Sequence, residues 1–453
     1  MELILDSVSP VKELLGKQSY TSGTKYRCLL YTITCVKDGC LLIYNTLTKA
    51  MVWLNKYESD LFYAGTCHIQ ELVENWFLVP EDFDEKKLCR EVYEIVLHLN
   101  SPVKDITQYT ILTTTDCNAR CFYCYEKGRV RYPMTRSVAL DTARFIQERC
   151  NGKKVHLQWF GGEPLFNKGV ISLICSELDK NGVEYESGMI TNAYLMDAGT
   201  ASEAKNKWKL KSVQITLDGT EDTYNKAKAY IHKGTNPYRV VLDNIHSLLK
   251  EGIKVKIRLN IELYNADNMT ELVNELSREF YGEKGLSVYT HPLYGETIED
   301  SSIINSEKRK LLYQRIRQID KIIRKHKLNK EPLLDRRFKL SQCMADNDSS
   351  ITIMPDGHIG KCEHFTDSDF IGHINGGEFD RQMVKSFKEL APEIEACNTC
   401  PDYPDCRRLL KCEAVKYCYT ELQEELFDKI RRGMLSEYDK YKEAPQCSAP
   451  KAD

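Results

Sequence analysis

The sequence predicts an α/β protein built on a parallel sheet or barrel, and three observations point there. Residues 101–335 alternate short β-branched and apolar runs with stretches of helical spacing, the pattern of βα units. The first of these strands opens into Thr114-Thr-Asp-Cys-Asn-Ala-Arg-Cys-Phe-Tyr-Cys-Tyr125, where Cys117, Cys121 and Cys124 are spaced C-x3-C-x2-C. The second ends in Trp159-Phe-Gly-Gly-Glu-Pro-Leu165. Parallel α/β folds place their chemistry on loops at the carboxyl ends of strands, where both of these stretches lie.

Strands are expected over 107–114, 154–160, 186–191, 211–217, 253–260 and 286–291, with helices over 136–149, 168–180, 238–250 and 268–281. Three thiolates on one loop can bind three irons of a four-iron, four-sulfur cluster, which normally takes four cysteines. One iron is then open to a non-protein ligand, as a position is on catalytic zinc. A zinc loop or three metal-free buried thiols are the competing readings. The aromatic Tyr123 before the last cysteine is uncommon in zinc loops and can pack beside a bound planar group.

On these residues the stretch resembles the signature of the radical S-adenosylmethionine (radical SAM) superfamily. The resemblance implies a partial (βα)6 radical SAM barrel over 101–335. It also implies that the open iron chelates S-adenosylmethionine, whose reductive cleavage gives a 5′-deoxyadenosyl radical. Gly161, Gly162, Glu163 and Pro164 resemble the family's cofactor-amino motif, the glycines letting backbone approach a ligand. Three further strand ends carry Thr191-Asn192, Asp218 before Gly219, and Arg258-Leu-Asn260. Each alone reads as a turn or cap; in this order the resemblance makes them cofactor contacts.

Before the barrel, residues 1–24 are weakly patterned. Two apolar runs then flank Asp38-Gly39, a hairpin signal, and Met51-Val-Trp-Leu54 adds a third strand. Helices are expected at about 57–64, 68–76 and 86–98. With the run Leu41-Leu-Ile-Tyr-Asn-Thr-Leu-Thr48, this layout over 1–100 resembles a winged-helix-like leader-recognition domain of peptide-modifying enzymes. A free sheet edge there could take an extended peptide as an added strand. A plain structural domain is the alternative.

After the barrel, 300–340 is charged, with Leu311, Leu312, Ile316, Ile319 and Ile323 at helical spacing, and reads as an exposed helix bridging two domains. The region 336–453 carries eight of the chain's 18 cysteines. Cys343, Gly357 and Cys362 are followed by Cys397-x2-Cys400-x5-Cys406-x5-Cys412-x5-Cys418, and then by Cys447. Zinc is one reading of the middle run. Beside a radical SAM core the layout resembles the SPASM extension, which binds two auxiliary four-iron clusters, making three in all. That resemblance puts Cys397, Cys400 and Cys406 in one cluster with a later cysteine, and Cys343, Cys362 and Cys412 in the other. The later cysteine is Cys418 or Cys447, with Cys418 favoured because Cys447 lies in a Pro-bounded tail. It departs from the usual pattern after Cys406, where Leu410 stands in place of a cysteine. Glu363, directly after Cys362, sits where sulfatase maturases of this group carry an acidic base. The scattered Cys28, Cys35, Cys40, Cys67, Cys89, Cys150 and Cys175 read as buried small hydrophobes.

Composition sets the remaining bounds. The 453 residues are 42% hydrophobic and 28% charged, with net charge −3, which gives no basic field for nucleic acid. There is no run of ~18 apolar residues to span a membrane. The acidic Met1-Glu-Leu-Ile-Leu-Asp6 is no secretory signal, so the cytoplasm is expected. Taken together, the resemblances imply a peptide maturase that forms cysteine thioethers on a ribosomally made precursor, as sactipeptide and ranthipeptide enzymes do. Its electron would come from a flavodoxin- or ferredoxin-type reductant. Carbon–carbon cross-linking, epimerisation and formylglycine formation are the alternatives within the same modules.

Overall fold

The computed structural model describes residues 1–6, 10–63, 69–99, 105–293, 307–329, 334–364, 368–412 and 417–443. Cys67 and Cys447 lie outside the described residues. The chain divides into two compact units. The first joins Met1–Pro102 to Glu331–Gln342 and Leu390–Asp453; the second joins Val103–Lys330 to Cys343–Glu389. The cysteine-rich region 336–453 is thus shared between them. Among the described residues, no helix is long and apolar enough to cross a membrane.

The first unit begins with β1 (Glu2–Leu5), α1 (Pro10–Leu15), β2 (Tyr26–Cys28), β3 (Thr32–Lys37), β4 (Cys40–Asn45), β5 (Met51–Leu54), α2 (Lys56–Tyr63), α3 (Ile69–Glu74), β6 (Leu78–Pro80) and α4 (Glu85–Leu99). The hairpin forms where the sequence put it. Lys37 pairs with Cys40 across Asp38 and Gly39, whose φ values of 52° and 75° give the left-handed two-residue turn that matches strand twist. The stretch 1–24 is not featureless: β1 pairs with β5, giving the sheet order β1-β5-β4-β3. Four residues are too few to show an alternation in sequence. β2 stands apart from the hairpin and pairs with β6 in a separate ribbon. β4 is buried on both faces. Leu41 and Ile43 pack with Leu72, Val73 and Phe77, while Leu42 and Tyr44 pack on the opposite side.

The second unit runs β7 (Gln108–Leu112), α5 (Arg136–Arg149), β8 (Val155–Phe160), α6 (Lys168–Lys180), β9 (Tyr185–Thr191), α7 (Ala198–Asn206), β10 (Leu210–Leu217), α8 (Glu221–Lys228), α9 (Pro237–Lys250), β11 (Lys254–Ile261), α10 (Ala266–Glu279), β12 (Leu286–Pro292) and α11 (Glu307–Lys325). Strands β7 to β12 are parallel neighbours in chain order, the expected (βα)6 arrangement. α7 and α8 were not foreseen; both are short and polar, so their apolar spacing is thin. α11 is not a bridge between domains. Its Leu312, Ile316, Ile319 and Ile323 are buried in the barrel core, where it packs on α10 and β12. Beyond β7 the sheet continues through β13 (Ser350–Ile353), parallel to β7, then antiparallel β14 (His358–Gly360) and β15 (Gly372–His373). A short helix α12 (Arg381–Ser386) follows.

The chain then returns to the first unit, ending its described residues in α13 (Thr420–Glu443). Met434 and Tyr438 of α13 complete the second apolar face of the sheet with Leu42 and Tyr44. The loop carrying Cys397, Cys400 and Cys406 is fastened to the turn after β4. The Thr46 hydroxyl donates to the Pro401 carbonyl, and Lys49 pairs with Asp405, both buried. Tyr403 stacks on Tyr31 at 6.0 Å, and Lys86 donates to Asn398 at 2.9 Å. The turn itself is fixed by Asn45, whose Oδ1 accepts from the Leu47 and Thr48 amides at 2.9 and 3.0 Å. One face of the N-terminal sheet therefore shares its core with α13.

An uncompensated buried charge costs more than a pair contributes. Lys49→Ala should destabilise the protein by about 3–5 kcal/mol, read by chemical unfolding of the full chain. The double change Lys49→Met with Asp405→Leu should recover most of that loss. A Lys49→Ala protein within about 1 kcal/mol of the parent would contradict this account of the pair.

Candidate functional site

The loop after β7 is closed on itself. The Met134 amide donates to the Thr113 carbonyl at 2.8 Å, and the Thr115 amide to the Tyr132 carbonyl at 3.1 Å. The end of β8 then lies directly against it. The Gly162 amide donates to the Thr114 carbonyl at 3.0 Å, and the Glu163 amide to the Asp116 carbonyl at 2.9 Å. A Cβ on Gly161, whose φ is 129°, would stand 2.2 Å from the Thr114 oxygen; one on Gly162 would stand 2.5 Å from the Asp116 oxygen. The sequence reading had these glycines admit a ligand. What they admit most closely is the backbone of the cysteine loop.

Glu163 and Thr191, expected as cofactor contacts, spend their side chains on structure. The Glu163 carboxylate is fully buried. Its Oε1 accepts from the Thr191 hydroxyl at 2.7 Å and the Leu165 amide at 3.1 Å, and its Oε2 from the Asn192 amide at 2.8 Å. Burial pushes its carboxyl up to about 7 despite those bonds. Pro164 starts the short 3-10 turn that follows, and its carbonyl accepts from the Thr113 hydroxyl at 3.0 Å. Asn192, so held, reaches the cysteine loop: its Nδ2 donates to Asn118 Oδ1 at 2.7 Å and lies 3.8 Å from Cys117 Sγ.

A second brace joins Tyr123, Asp218 and Lys228. The Tyr123 hydroxyl donates to Asp218 Oδ2 at 2.7 Å. Lys228 Nζ lies 3.1 Å from the same oxygen and donates to the Tyr123 oxygen at 2.9 Å. The Lys228 carbonyl also accepts from the Arg120 amide at 2.8 Å. Tyr123 and Asp218 were legible as site residues; Lys228, at the end of the polar α8, looks like an ordinary solvated lysine. Burial pulls its ammonium pKa down, but Asp218 and Tyr123 outweigh this and hold it well above the usual value.

The three thiols lie within each other's electrostatic reach. Burial pushes Cys117 up to about 12, with Glu163, Cys121 and Cys124 adding to the effect, and burial raises Cys124 as well. Such thiols ionise at neutral pH only beside a cation, which suits a metal-ligand role. Elsewhere at the strand ends, three buried polar atoms have no partner among the described residues: Asp218 Oδ1, Arg258 Nε and Asn260 Oδ1. They lie at or near the carboxyl ends of β10 and β11 and offer two acceptors and a donor to a polar ligand. Arg258 Nη2 also lies 2.9 Å from His291 Nδ1, and burial with Arg258 pushes His291 down to about 4. Glu363 is half-buried, with Oε2 buried and without a partner among the described residues. Its neighbour His364 packs on Tyr125 with ring centroids 4.5 Å apart and accepts from Arg129 at 3.0 Å through its carbonyl.

The remaining cysteines divide between the units. In the second, Cys343 and Cys362 flank the β13–β14 hairpin. Buried Lys361 ties their segments together by donating to the Asn347 and Ser350 carbonyls, both at 2.6 Å. In the first, Cys397, Cys400, Cys406 and Cys418 lie within mutual electrostatic reach, and burial pushes Cys400 to about 11 and Cys406 to about 12. Cys412 belongs to this unit too. Among the described residues, no three His, Cys, Asp or Glu side chains converge as ligands of a single metal ion. Of the scattered cysteines, Cys89, Cys150 and Cys175 are buried as expected. Cys28 is exposed on a short strand, and Cys35 and Cys40 are half-exposed, the first on the edge strand β3 and the second beside the hairpin turn.

Residues 111–276 match the model of the radical SAM superfamily and constitute a radical SAM domain. A GTP 3′,8-cyclase of Clostridium perfringens (strain SM101 / Type A) is 26% identical over 277 residues, 58% of this chain and 82% of its own length. Among solved structures, native anSMEcpe with bound AdoMet and Cp18Cys peptide aligns with a TM-score of 0.55 at 14% identity, covering 74% of this chain and 99% of that one. Streptococcus suis SuiB bound to precursor peptide SuiA aligns with a TM-score of 0.50 at 11% identity, covering 85% and 95%. These two structures share the fold. A radical SAM domain implies S-adenosylmethionine and one four-iron cluster, and the thiols and unpartnered polar atoms at the strand ends fit both.

Gly161→Ala combines a left-handed backbone with a 2.2 Å collision against a carbonyl oxygen. It should cost about 2–4 kcal/mol by thermal or chemical unfolding. Gly169→Ala, on α6 with nothing within 4 Å, should be neutral or stabilising by up to about 1 kcal/mol.

Proposed function

We propose that this radical SAM domain serves a peptide maturase, which joins a cysteine sulfur of a ribosomally made precursor to a carbon of another residue. The observation that carries the reading is the first unit. A sheet with an unpaired edge is fastened to the loop of Cys397, Cys400 and Cys406, which has Cys418 within electrostatic reach, on the same chain as the radical SAM domain. Among the described residues, β3 pairs only with β4. Lys37 and Cys40 flank a two-residue turn and so form a hydrogen-bonded pair. By parity, the amides of Thr34 and Val36 then face the open edge. Val36 is 65% exposed. That edge suits addition of an extended leader peptide.

In the second unit, Cys117, Cys121 and Cys124 would hold the cluster that, with S-adenosylmethionine, supplies a 5′-deoxyadenosyl radical to remove a substrate hydrogen. Asp218 Oδ1 and Asn260 Oδ1 would accept, and Arg258 Nε donate, hydrogen bonds to that cofactor. Glu163 and Thr191 position Asn192, which steadies the loop beside Cys117. Glu363 keeps a buried oxygen for a substrate donor. Two auxiliary clusters are part of the same reading: Cys397, Cys400, Cys406 and Cys418 form one set, and Cys343 and Cys362 belong to the other. An iron left open in the second set would bind a substrate thiolate and lower its pKa. Proximity then does the rest, because a sulfur fixed beside a carbon radical needs no further encounter.

A second reading, cyclisation of a nucleotide, is favoured by the identity to the GTP 3′,8-cyclase. It predicts consumption of GTP and indifference to peptide.

Cys117→Ala, Cys121→Ala and Cys124→Ala should each abolish 5′-deoxyadenosine formation under reducing, anaerobic conditions. Persistence of that product in any of them would remove the loop from the mechanism. Val36→Pro removes an outward amide from the edge strand. It should weaken binding of a labelled peptide encoded beside the gene by about five- to tenfold, and leave peptide-independent deoxyadenosine formation unchanged. Equal anisotropy titrations for parent and variant would mean that leader recognition does not use this edge.

A further inference from the structure

The buried pair beneath the cysteine loop carries a consequence for reduction of the cluster. Lys228 is 5% exposed and Asp218 fully buried. Asp218 Oδ2 takes both the Tyr123 hydroxyl and the Lys228 ammonium, while Oδ1 has no partner among the described residues. Lys228 also stands over the Tyr123 ring, 5.6 Å from its centroid, and over Tyr224 at 5.8 Å. Tyr123 lies between Cys121 and Cys124, and the Lys228 backbone is bonded to Arg120, next to Cys121. A fixed cation is thus held, shielded from water, by Asp218, by the hydroxyl and ring of Tyr123, and by the Tyr224 ring of its own helix. Two further cations lie near the loop's Asp116, Arg120 at 3.7 Å and Arg131 at 3.6 Å, but each is partly exposed to solvent and so screened.

We propose that Lys228 is a positioning residue for the iron–sulfur cluster. It fastens Tyr123 to Asp218 and supplies the buried positive charge that makes the cluster easier to reduce. The inference rests on the reading of Cys117, Cys121 and Cys124 as cluster ligands. The step concerned is transfer of one electron from a low-potential donor onto the cluster, which becomes more negative by one unit. No bond is made and no proton moves. A cation in a low-dielectric site favours that product, and a neighbouring anion opposes it. Lys228 and Asp218 therefore act with opposite signs, and a merely structural role for the pair would not produce opposite signs.

The test uses the full-length, iron-reconstituted protein without peptide, poised with dithionite and redox mediators at one fixed potential near the parent's midpoint. Lys228→Gln should shift the reduced-to-oxidised ratio, read from the electron paramagnetic resonance signal per iron, down by about tenfold. Asp218→Asn should shift it up by a similar factor, and Lys228→Arg should stay within about twofold of the parent. Parent-like ratios in both Lys228→Gln and Asp218→Asn, or shifts of the same sign, overturn the proposal. If Lys228→Gln does not hold iron, Asp218→Asn decides alone, and an unchanged or lowered ratio overturns it. Iron content and cofactor cleavage of the parent and of Cys121→Ala report separately on the reading beneath. The ratio is taken from the part of the signal that Cys121→Ala loses; if Cys121→Ala loses neither iron nor signal, that reading fails instead.

Discussion

The second unit depends on one close contact, that of Gly161 and Gly162 against Thr114–Asp116. Two backbones meet there with no side chain between them, and the approach is so tight that a methyl group at Gly161 would overlap a carbonyl oxygen. Two amide-to-carbonyl bonds are made across it. The contact sets the height of the cysteine loop above the sheet and starts the chain of consequences that follows. It places Glu163 in the interior, where the carboxylate gathers Thr191 and the Asn192 amide, and so brings Asn192 to Asn118. From the other side, Lys228 and Asp218 take hold of Tyr123. The loop is thus braced from the ends of β8, β9 and β10 at once, which is the rigidity a site needs if reacting atoms are to stay aligned.

The first unit shows the same economy in another form. A polar turn, Asn45–Lys49, would be expensive to bury alone. It is satisfied internally by Asn45 and externally by Pro401 and Asp405, so the turn and the Cys397–Cys406 loop stabilise each other. α13 covers the face of β4 that α3 does not. The N-terminal sheet is consequently no appendage. Excision of residues 1–100 would strip Met434 and Tyr438 of their partners, so truncation is a poor probe of leader recognition, and substitutions on the β3 edge are a better one.

Much of this was legible in the sequence. The six strands of the second unit and α5, α6, α9 and α10 follow from apolar spacing, and the hairpin from Asp38-Gly39. The candidate residues at strand ends stand out in the sequence because position and chemistry agree there. What stayed hidden depends on distance along the chain. Lys228 lies 105 residues from Tyr123, and Lys49 lies 356 from Asp405. Each looks like a solvated lysine until the fold buries it. Thr191 and Glu163 were identified as site residues, but their roles were not, since a buried carboxylate bonded to its neighbours has the same local sequence as one facing a cofactor. The α11 stripe gave the helix but not its partner, because periodicity says which face is buried and not against what.

The central claim is that a radical generated at this braced loop acts on a peptide. The most direct measurement is the isotopic composition of 5′-deoxyadenosine, formed anaerobically with S-adenosylmethionine, a reductant and a precursor peptide deuterated on its non-cysteine residues. The account predicts deuterium in the deoxyadenosine, together with a peptide that has lost hydrogen and whose cysteine no longer reacts with a thiol reagent. Deoxyadenosine free of deuterium, with the peptide unchanged, would contradict it.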